Sequence, residues 1–407
     1  MLSFEKKVVK LFKQNRRQTS GHTYTVPSPD NYPYQWLWDS CFHAIVLSHF
    51  DLPAARAELL SLVSKQFKNG LLPHMIYWQR DQSKKFVHID WGKKDTSSIT
   101  QPPIIADSVL KIFETDRDVN FLKTIYPHLR AFYNFLLTQR DARNHHLIGL
   151  INPDESGEDN SPRFDLPLEL SAIQTPKENF KQRLALIEKN RFCNFEGIDC
   201  MKNFFWVKDL PFNCFMVKNL LSLSSLAKAL HLEKNSEYFK NEANLIKKGI
   251  KKYMYEDGLY WSVYQPDYSD EVADYVKIKV KTWGLFAPLF AQLLTQREAR
   301  DLVNNHLLNK DEFWLNYPVP TVAKSEPSFD SEGFWRGPTW ISTNWFIFQG
   351  LLNYGFLSLA KEIYKKSKYL VEKEGFREQF HPITGQGLGA KNFTWGALVL
   401  DMEKSLD

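Results

Sequence analysis

Apolar residues recur at spacings of three and four along most of the chain, as expected for helices with one buried face. The spacing predicts helices over residues 3–16, 39–50, 53–68, 103–116, 118–140, 212–231, 235–254, 281–293, 295–308, 336–353, 355–373 and 392–404. Strand-like alternation is scarce and falls mainly at 258–264 and 272–280. Six consecutive helical hairpins can close into a double-layered ring. We therefore expect an all-α fold, an (α/α)6 barrel, with residues 1–407 as a single domain.

Alternate helices begin with an aromatic or polar cluster, in the sequences WLWDS, TQPPI, PFNCF, KTWGL, FWRGPTW and NFTWG. The helices between them begin without one, as in DLPAARAELL, TQREARDLV and YGFLSLAKEI. Packing alone explains a single tryptophan at a helix start equally well, but six clusters in alternation indicate inner helices that open onto one end of the ring. We expect these clusters, and the positive ends of the helix dipoles, to converge on one funnel.

One long segment interrupts the helical rhythm. Residues 152–211 are rich in proline and charge, with SPRFDLPLEL and QTPKENFKQRLALIEKNRF among them. Long connections inside a compact domain are usually binding elements. The sequence therefore predicts a cap, inserted over residues 160–211, that closes over a bound ligand.

Composition narrows the class of protein. With 43% hydrophobic residues the chain can bury a large core, and a net charge of +5 spread evenly gives no basic arm for nucleic acid. The aromatic fraction of 14%, with 12 Trp and 17 Tyr, exceeds what a helical core requires. Core filling accounts for about half of these rings, and the remainder suit a pocket in which flat faces pack against sugar rings.

The N-terminal segment and the cysteines indicate the compartment. The first twenty residues lack the apolar stretch of a signal peptide, and no window resembles a membrane span. Cys41, Cys193, Cys200 and Cys214 show no CxxC pair, so we expect buried free thiols. These features predict a cytoplasmic protein without a membrane partner, and they leave a homo-oligomer open.

The first chemical motif is INPDESGEDNSPRFD at residues 151–165, which places Asp154, Glu155, Glu158 and Asp159 within six positions. Clustered carboxylates raise one another's pKa, which suits a general acid that must hold a proton near neutral pH. The ordinary alternative is a solvated acidic loop.

Two further motifs lie near the C-terminus. In FREQFHPITGQGLGAKNFTW, residues 376–395, Glu378 precedes a turn rich in Pro and Gly that can hold a carboxylate at a cavity mouth; a charge at a helix end is the alternative. In EGFWRGPTWISTNW, residues 332–345, Trp335 and Trp340 flank Arg336. That arginine can offer a fork of donors to a ligand or form a structural ion pair.

Together with QWLWDSCFHA at 35–44, these segments resemble glycoside hydrolase family 63 and its trehalase-like relatives, in particular short bacterial members that hydrolyse glucosylglycerate or mannosylglycerate. In that family an ESG-x-DNSPR segment carries the acid, WRGPxW lines the sugar pocket, and an E-x-F-x-P-x-TG-x-GLGA segment carries the base. All three stand here in the family's order, and the resemblance spans about residues 32 to 402.

The resemblance implies that Asp159 is the general acid and Glu378 the general base. It also implies a set of residues that hold the sugar, namely Tyr32, Trp38, Asp39, Gln101, Trp335, Arg336 and Trp395. One position departs from the family: the residue before the acid, usually apolar or aromatic, is Glu158 here. A second charge there is expected to raise the pKa of Asp159 or to compete with it as the donor.

The implied reaction is hydrolysis with inversion, which needs two carboxyl groups on opposite faces of the sugar, about 6.5–9.5 Å apart. We expect no metal and no cofactor, since the histidines show no HExxH spacing. The implied substrate is a small α-glycoside, with 2-O-α-glucosylglycerate or mannosylglycerate first. A glycerate carboxylate calls for a cation, and Arg163, Arg191 or Lys281 could supply it.

Other functions remain open at this point. An oligosaccharide α-glucosidase or a trehalase-like enzyme would use the same two carboxylates. A sugar epimerase can use the same ring, although its proton transfers suit paired histidines better than two distant acids. A sugar-binding protein without catalysis is disfavoured because both candidate catalytic carboxylates are present.

Overall fold

The computed structural model describes residues 3–19, 21–79, 86, 88–266 and 275–406. Its helices are α1 Phe4–Asn15, α2 Leu37–Leu47, α3 Leu52–Val63, α4 Ile105–Asp116, α5 Val119–Gln139, α6 Pro176–Phe192, α7 Gly197–Asn203, α8 Leu210–Ala229, α9 Glu233–Tyr253, α10 Ala287–Phe290, α11 Gln296–Leu302, α12 Ile341–Asn353, α13 Leu357–Glu374 and α14 Leu398–Lys404. Most coincide with helices that the apolar spacing predicts. The two outside that pattern, α6 and α7, lie in the segment predicted to be a cap.

Six helices form a closed inner ring. Helix α2 packs against α4, α4 against α8, α8 against α10, α10 against α12, α12 against α14, and α14 against α2. Outside them, α3, α5, α9 and α13 pack on α2, α4, α8 and α12, while α1 packs on α14. Every residue of α2 is buried, whereas α9 buries one face, as expected for inner and outer layers. The expected (α/α)6 barrel is confirmed.

Strands are short and serve the connections. They are β1 Arg16–Thr19, β2 His22–Thr25, β3 Gln35–Trp36, β4 Met75–Ile76, β5 Val207–Lys208, β6 Tyr255–Glu256, β7 Leu259–Tyr260, β8 Val263–Tyr264, β9 Val276–Lys277, β10 Arg377–Phe380 and β11 Gly387–Lys391. They pair as β1-β2, β3-β4, β5-β8-β9, β6-β7 and β10-β11, all antiparallel. The strand predicted at 258–264 is therefore two strands, and residues 272–274 of the other lie outside the described part.

One predicted helix is much shorter than expected. Residues 281–293 contain a 3-10 turn, Trp283–Phe286, followed by the single turn of α10, Ala287–Phe290. Pro288 lacks a backbone N–H and lies in the first turn of α10, where that N–H would have no partner within the helix, so the α-helix begins here rather than at residue 281.

The helix starts differ in whether a side chain caps them. Asp51 and Asp118 cap the outer helices α3 and α5 by accepting backbone N–H bonds. The inner helices α2, α4 and α12 begin at Trp36, Ile104 and Trp340 without any side-chain cap. Their first N–H groups and positive dipole ends are therefore directed toward the end of the ring where these aromatic residues lie.

The cysteines correct one expectation. Cys193 and Cys200 form a disulfide between the end of α6 and α7, so two of the four thiols are not free. The end of α6 brings them together, with a Cα–Cα distance of 5.7 Å. Cys41 and Cys214 are buried free thiols, as predicted. Among the described residues, no helix combines the length and the apolar character needed to cross a membrane.

Candidate active site

A cavity of about 480 Å³ lies at the N-terminal end of the inner ring. Asp159 and Glu378 both line it, although 219 positions separate them (378 − 159). Of the residues expected to hold the sugar, six line the same cavity: Tyr32, Trp38, Asp39, Gln101, Trp335 and Trp395. The described part of the chain thus brings both candidate catalytic groups and most candidate sugar ligands into one space.

The six helix-start clusters do not all reach the cavity, contrary to expectation. WLWDS, TQPPI, FWRGPTW and NFTWG contribute to its wall, but PFNCF and KTWGL do not. The loop at 151–165 covers these two, because Trp283 Nε1 donates to Glu158 Oε2 at 2.9 Å and Arg163 Nε bonds to Asp209 Oδ1 at 2.8 Å. Four clusters form the wall, and the acid-bearing loop closes the remaining side.

The candidate acid is partly open to the cavity. The side chain of Asp159 is 24% exposed, and its Oδ2 lies 2.5 Å from Arg183 Nη2. Burial raises the pKa of Asp159, the Arg183 guanidinium opposes that rise, and the nearby Asp154 carboxylate adds to it. The net direction of the pKa is upward, and the contact with Arg183 limits the rise.

The two glutamates of the same loop have structural partners. Glu158 is buried and bonds to Arg163 and Trp283, so its carboxylate is committed elsewhere and Asp154 is the acidic neighbour that acts on Asp159. Glu155 accepts two bonds from Arg140, at 2.7 and 2.8 Å. The expectation that Glu158 perturbs or replaces the acid is therefore not supported by its position.

Both oxygens of the candidate base are held. Glu378 lies on β10, where Oε1 accepts a hydrogen bond of 2.5 Å from the Tyr32 hydroxyl and Oε2 accepts one of 2.8 Å from the backbone N–H of Ala390. Gly389 has φ +62°, and a Cβ there would collide with Glu378 Oε2. Burial, and then the charge of Glu378, raise the pKa of Tyr32 well above its usual value, so this hydroxyl stays a donor.

Four tryptophans form an aromatic floor. Trp335 and Trp340 stack at 3.8 Å with 7° between their planes, and Trp38 meets Trp395 edge-on at 4.9 Å. Trp395 Nε1 donates to Asp39 Oδ1 at 2.7 Å. Burial raises the pKa of Asp39 to about 7, and this bond partly opposes the rise. Flat apolar faces beside a carboxylate match a sugar ring and its hydroxyls.

Arg336 lies elsewhere. It does not line the cavity but forms two parallel bonds to Asp165, at 2.9 and 2.8 Å, and a third bond of 2.7 Å to the carbonyl of Ala172. This geometry is the structural ion pair that the motif left open. It fastens residues 160–211 to the start of α12.

None of the three cations suggested for a carboxylate lines the cavity. Arg163 pairs with Glu158 and Asp209, Arg191 pairs with Asp90 and Glu188 at the surface, and Lys281 pairs with Glu312. Their charges are already matched away from the site.

Arg183 and His74 are among the polar residues of the wall that sequence reasoning missed. Arg183 lies on α6 and bonds both Asp154 and Asp159. His74 Nδ1 lies 2.6 Å from Ser97 Oγ, and burial lowers the pKa of this histidine to about 4, which keeps it neutral. Neither stands in a recognisable motif; the one signal for Arg183 was its place in the long inserted segment.

Comparison with known proteins agrees with this geometry. The family model described as the mannosylglycerate hydrolase MGH1-like glycoside hydrolase domain matches residues 32–396. A mannosylglycerate hydrolase of Thermus thermophilus is 31% identical over 96% of this chain and 98% of its own length. The glucosylglycerate hydrolase of Mycolicibacterium hassiacum is 25% identical over 93% and 94%.

A solved structure shares the whole fold. The crystal structure of a GH63 mannosylglycerate hydrolase from Thermus thermophilus, in complex with Tris and D-glycerate, aligns with a TM-score of 0.87 and 31% identity over 98% of this chain and 99% of that one. The α/α barrel, its aromatic-lined cavity with two carboxylates, and the matched family model together identify a glycoside hydrolase. The chain belongs to the MGH1-like glycoside hydrolases of family GH63.

Proposed function

We propose that this enzyme hydrolyses 2-O-α-mannosylglycerate or 2-O-α-glucosylglycerate with inversion, with Asp159 as the general acid and Glu378 as the general base. The observation that carries the proposal is that both carboxylates line one cavity although they are distant in sequence, each with a distinct set of partners. Relatives of both names align over nearly the full chain, so the glycone stays a choice between two sugars.

The proposed reaction follows from the two environments. As the bond from the anomeric carbon to the glycosidic oxygen breaks, Asp159 donates its proton to that oxygen. A water oxygen bonds to the opposite face of the same carbon while Glu378 takes the water's proton. Tyr32 and Ala390 fix the two oxygens of Glu378, which holds the carboxylate in place for this proton transfer.

Arg183 is the proposed partner of the glycerate carboxylate. It lines the cavity beside Asp159, and the aglycone must lie next to the group that protonates its oxygen. Guanidinium groups bind carboxylates through two parallel bonds, so this side chain can select an acidic aglycone over a neutral sugar.

The proposed cap is the segment 160–211. Pro176, Asn179, Phe180 and Arg183, all from the first half of α6, line the cavity. Asn190 anchors the second half by donating to the carbonyl of Ile151 at 3.1 Å. The segment thus forms a roof that is tied to the acid-bearing loop and excludes bulk water from the bound sugar.

The test is a substrate panel with matched variants. Wild-type enzyme should release sugar from mannosylglycerate or glucosylglycerate much faster than from trehalose or maltose. Asp159→Asn and Glu378→Gln should each reduce that rate by about 10²–10⁴. The exposed controls Asp257→Asn and Glu372→Gln, which make the same chemical changes at the surface, should leave it unchanged. Full activity in either catalytic variant, or a preference for a neutral disaccharide, would contradict the proposal.

A further inference from the structure

The contact between Arg183 and Asp159 is exposed to the cavity. Arg183 Nη2 lies 2.5 Å from Asp159 Oδ2 and 2.8 Å from Asp154 Oδ1, and Arg183 Nε lies 3.3 Å from Asp154 Oδ2. The guanidinium therefore has two anchors, of which Asp154 supplies two contacts and Asp159 one. It can release Asp159 and remain attached through Asp154.

Two other arginine pairs of the same loop are almost fully buried. The side chains of Arg140 and Glu155 are 1% and 0% exposed, and those of Arg163 and Glu158 are 3% and 2% exposed. In the Arg183 pair the exposures are 11% for the arginine and 24% for Asp159. A ligand in the cavity can reach this pair, but it cannot reach the other two.

The contact also conflicts with the proposed role of Asp159. A general acid must hold a proton before the leaving oxygen arrives, whereas a guanidinium at hydrogen-bond distance stabilises the carboxylate form. While this contact is made, Arg183 favours the form of Asp159 that cannot donate. Substrate binding has to change this contact.

We propose that the substrate's own carboxylate draws Arg183 away from Asp159, so that Asp159 takes up a proton and becomes a competent acid only when an acidic aglycone is bound. The inference rests on the proposed glyceryl substrate and adds the step that arms the enzyme. In this step the substrate's carboxylate replaces that of Asp159 on the guanidinium, and one proton from solvent neutralises Asp159. No bond to carbon changes in this step.

The surroundings favour that uptake. The other titratable groups along the described cavity wall are Tyr32, Asp39, His74, Asp154 and Glu378. Asp154 raises the pKa of Asp159, as does burial, and the neutral His74 supplies no charge that would oppose them. Once Arg183 moves to the substrate, it lowers the pKa of Asp159 less than before.

Proton linkage tests the switch directly. Titration calorimetry of the whole enzyme with D-glycerate, near pH 7 and in two buffers of different ionisation enthalpy, reports the protons taken up per glycerate bound. We expect an uptake approaching one in the wild type and in the control Glu372→Gln, and none in Asp159→Asn. Binding without proton uptake, equal uptake in Asp159→Asn, or no binding of D-glycerate at millimolar concentration would each overturn the switch.

A second variant separates the switch from simple substrate binding. Arg183→Gln should hydrolyse the glyceryl glycoside at least tenfold more slowly, yet hydrolyse methyl α-mannoside or methyl α-glucoside several-fold faster than wild type, with a pH optimum moved upward. A merely structural or binding role predicts no gain on the neutral glycosides, and that result would refute the switch. The proposed function fails separately, if wild type does not cleave the glyceryl glycoside at all.

Discussion

Asp39 offers a sharp test of the electrostatics of the sugar pocket. This carboxyl is 4% exposed, lines the cavity and accepts a bond from Trp395. Burial raises its pKa from 3.8 to about 7. The enzyme therefore maintains a poorly solvated acid at the position where a sugar is expected to bind, and the replacement Asp39→Asn removes its titration while keeping an oxygen that can accept the bond from Trp395.

The effect of pH on stability depends on whether the folded or the unfolded state binds more protons. Between pH 4 and 7 the folded protein keeps the Asp39 proton while the unfolded chain has lost it, so this group lowers stability as pH rises. A pKa raised from 3.8 to about 7 lowers the free energy of unfolding by at most about 4 kcal/mol across that window. The asparagine variant lacks this loss, so its stability relative to wild type should increase steadily from pH 4 to pH 7.

Urea unfolding at several pH values measures that difference. The surface variant Asp257→Asn should follow the wild type, while Asp39→Asn gains relative stability toward neutral pH and loses affinity for substrate. A stability difference that does not change between pH 4 and 7 would refute the assigned environment of Asp39. Unchanged kinetics in Asp39→Asn would show that Asp39 does not bind the sugar.

Three other substitutions test a close contact at the cavity, with its control, and a buried charge. Gly157 has φ +73°, and a Cβ there would lie 2.5 Å from Trp38 Cζ2, so Gly157→Ala should lower the free energy of unfolding by about 2–4 kcal/mol and raise the KM. The control Gly258→Ala, at φ +84° with open space around it, should lower the free energy of unfolding by about 1 kcal/mol and leave the kinetics unchanged. Burial would raise the pKa of Asp401, but Lys111 and neighbouring hydrogen bonds hold it at about 2. Asp401→Asn should therefore lower the free energy of unfolding, measured with urea at pH 7, by about 2 kcal/mol, and this difference from wild type should shrink as pH falls from 4 to 2. An equal loss of stability at pH 7 and at pH 2 would contradict this.

The barrel could be predicted because its layers have different sequence patterns. Inner helices such as α2 are mostly apolar, are buried on every side and begin with aromatic clusters, whereas outer helices such as α9 carry one apolar stripe. The limits of α10 could not be predicted from spacing alone, since Pro288 interrupts an apolar run that otherwise reads as helix. Periodicity reports burial, and it does not report where backbone hydrogen bonding ends.

The site was harder to predict where function depends on partners distant in sequence. Arg336 stands in a conspicuous motif, but its role is set by Asp165, 171 positions away. Arg183 stands in no motif, and its position beside Asp159 exists only because α6 folds back over the acid-bearing loop. Local sequence indicates which groups are available, while the tertiary fold decides which of them meet.

The stereochemistry of the first product tests the central claim most directly. Wild-type enzyme is mixed with the α-glyceryl glycoside, and proton NMR records the anomer of the released sugar before mutarotation. If Asp159 and Glu378 act as acid and base across the cavity, with water attacking opposite the leaving group, the first sugar formed is the β-anomer. Release of the α-anomer would contradict the account, because it requires a covalent intermediate or attack from the same face.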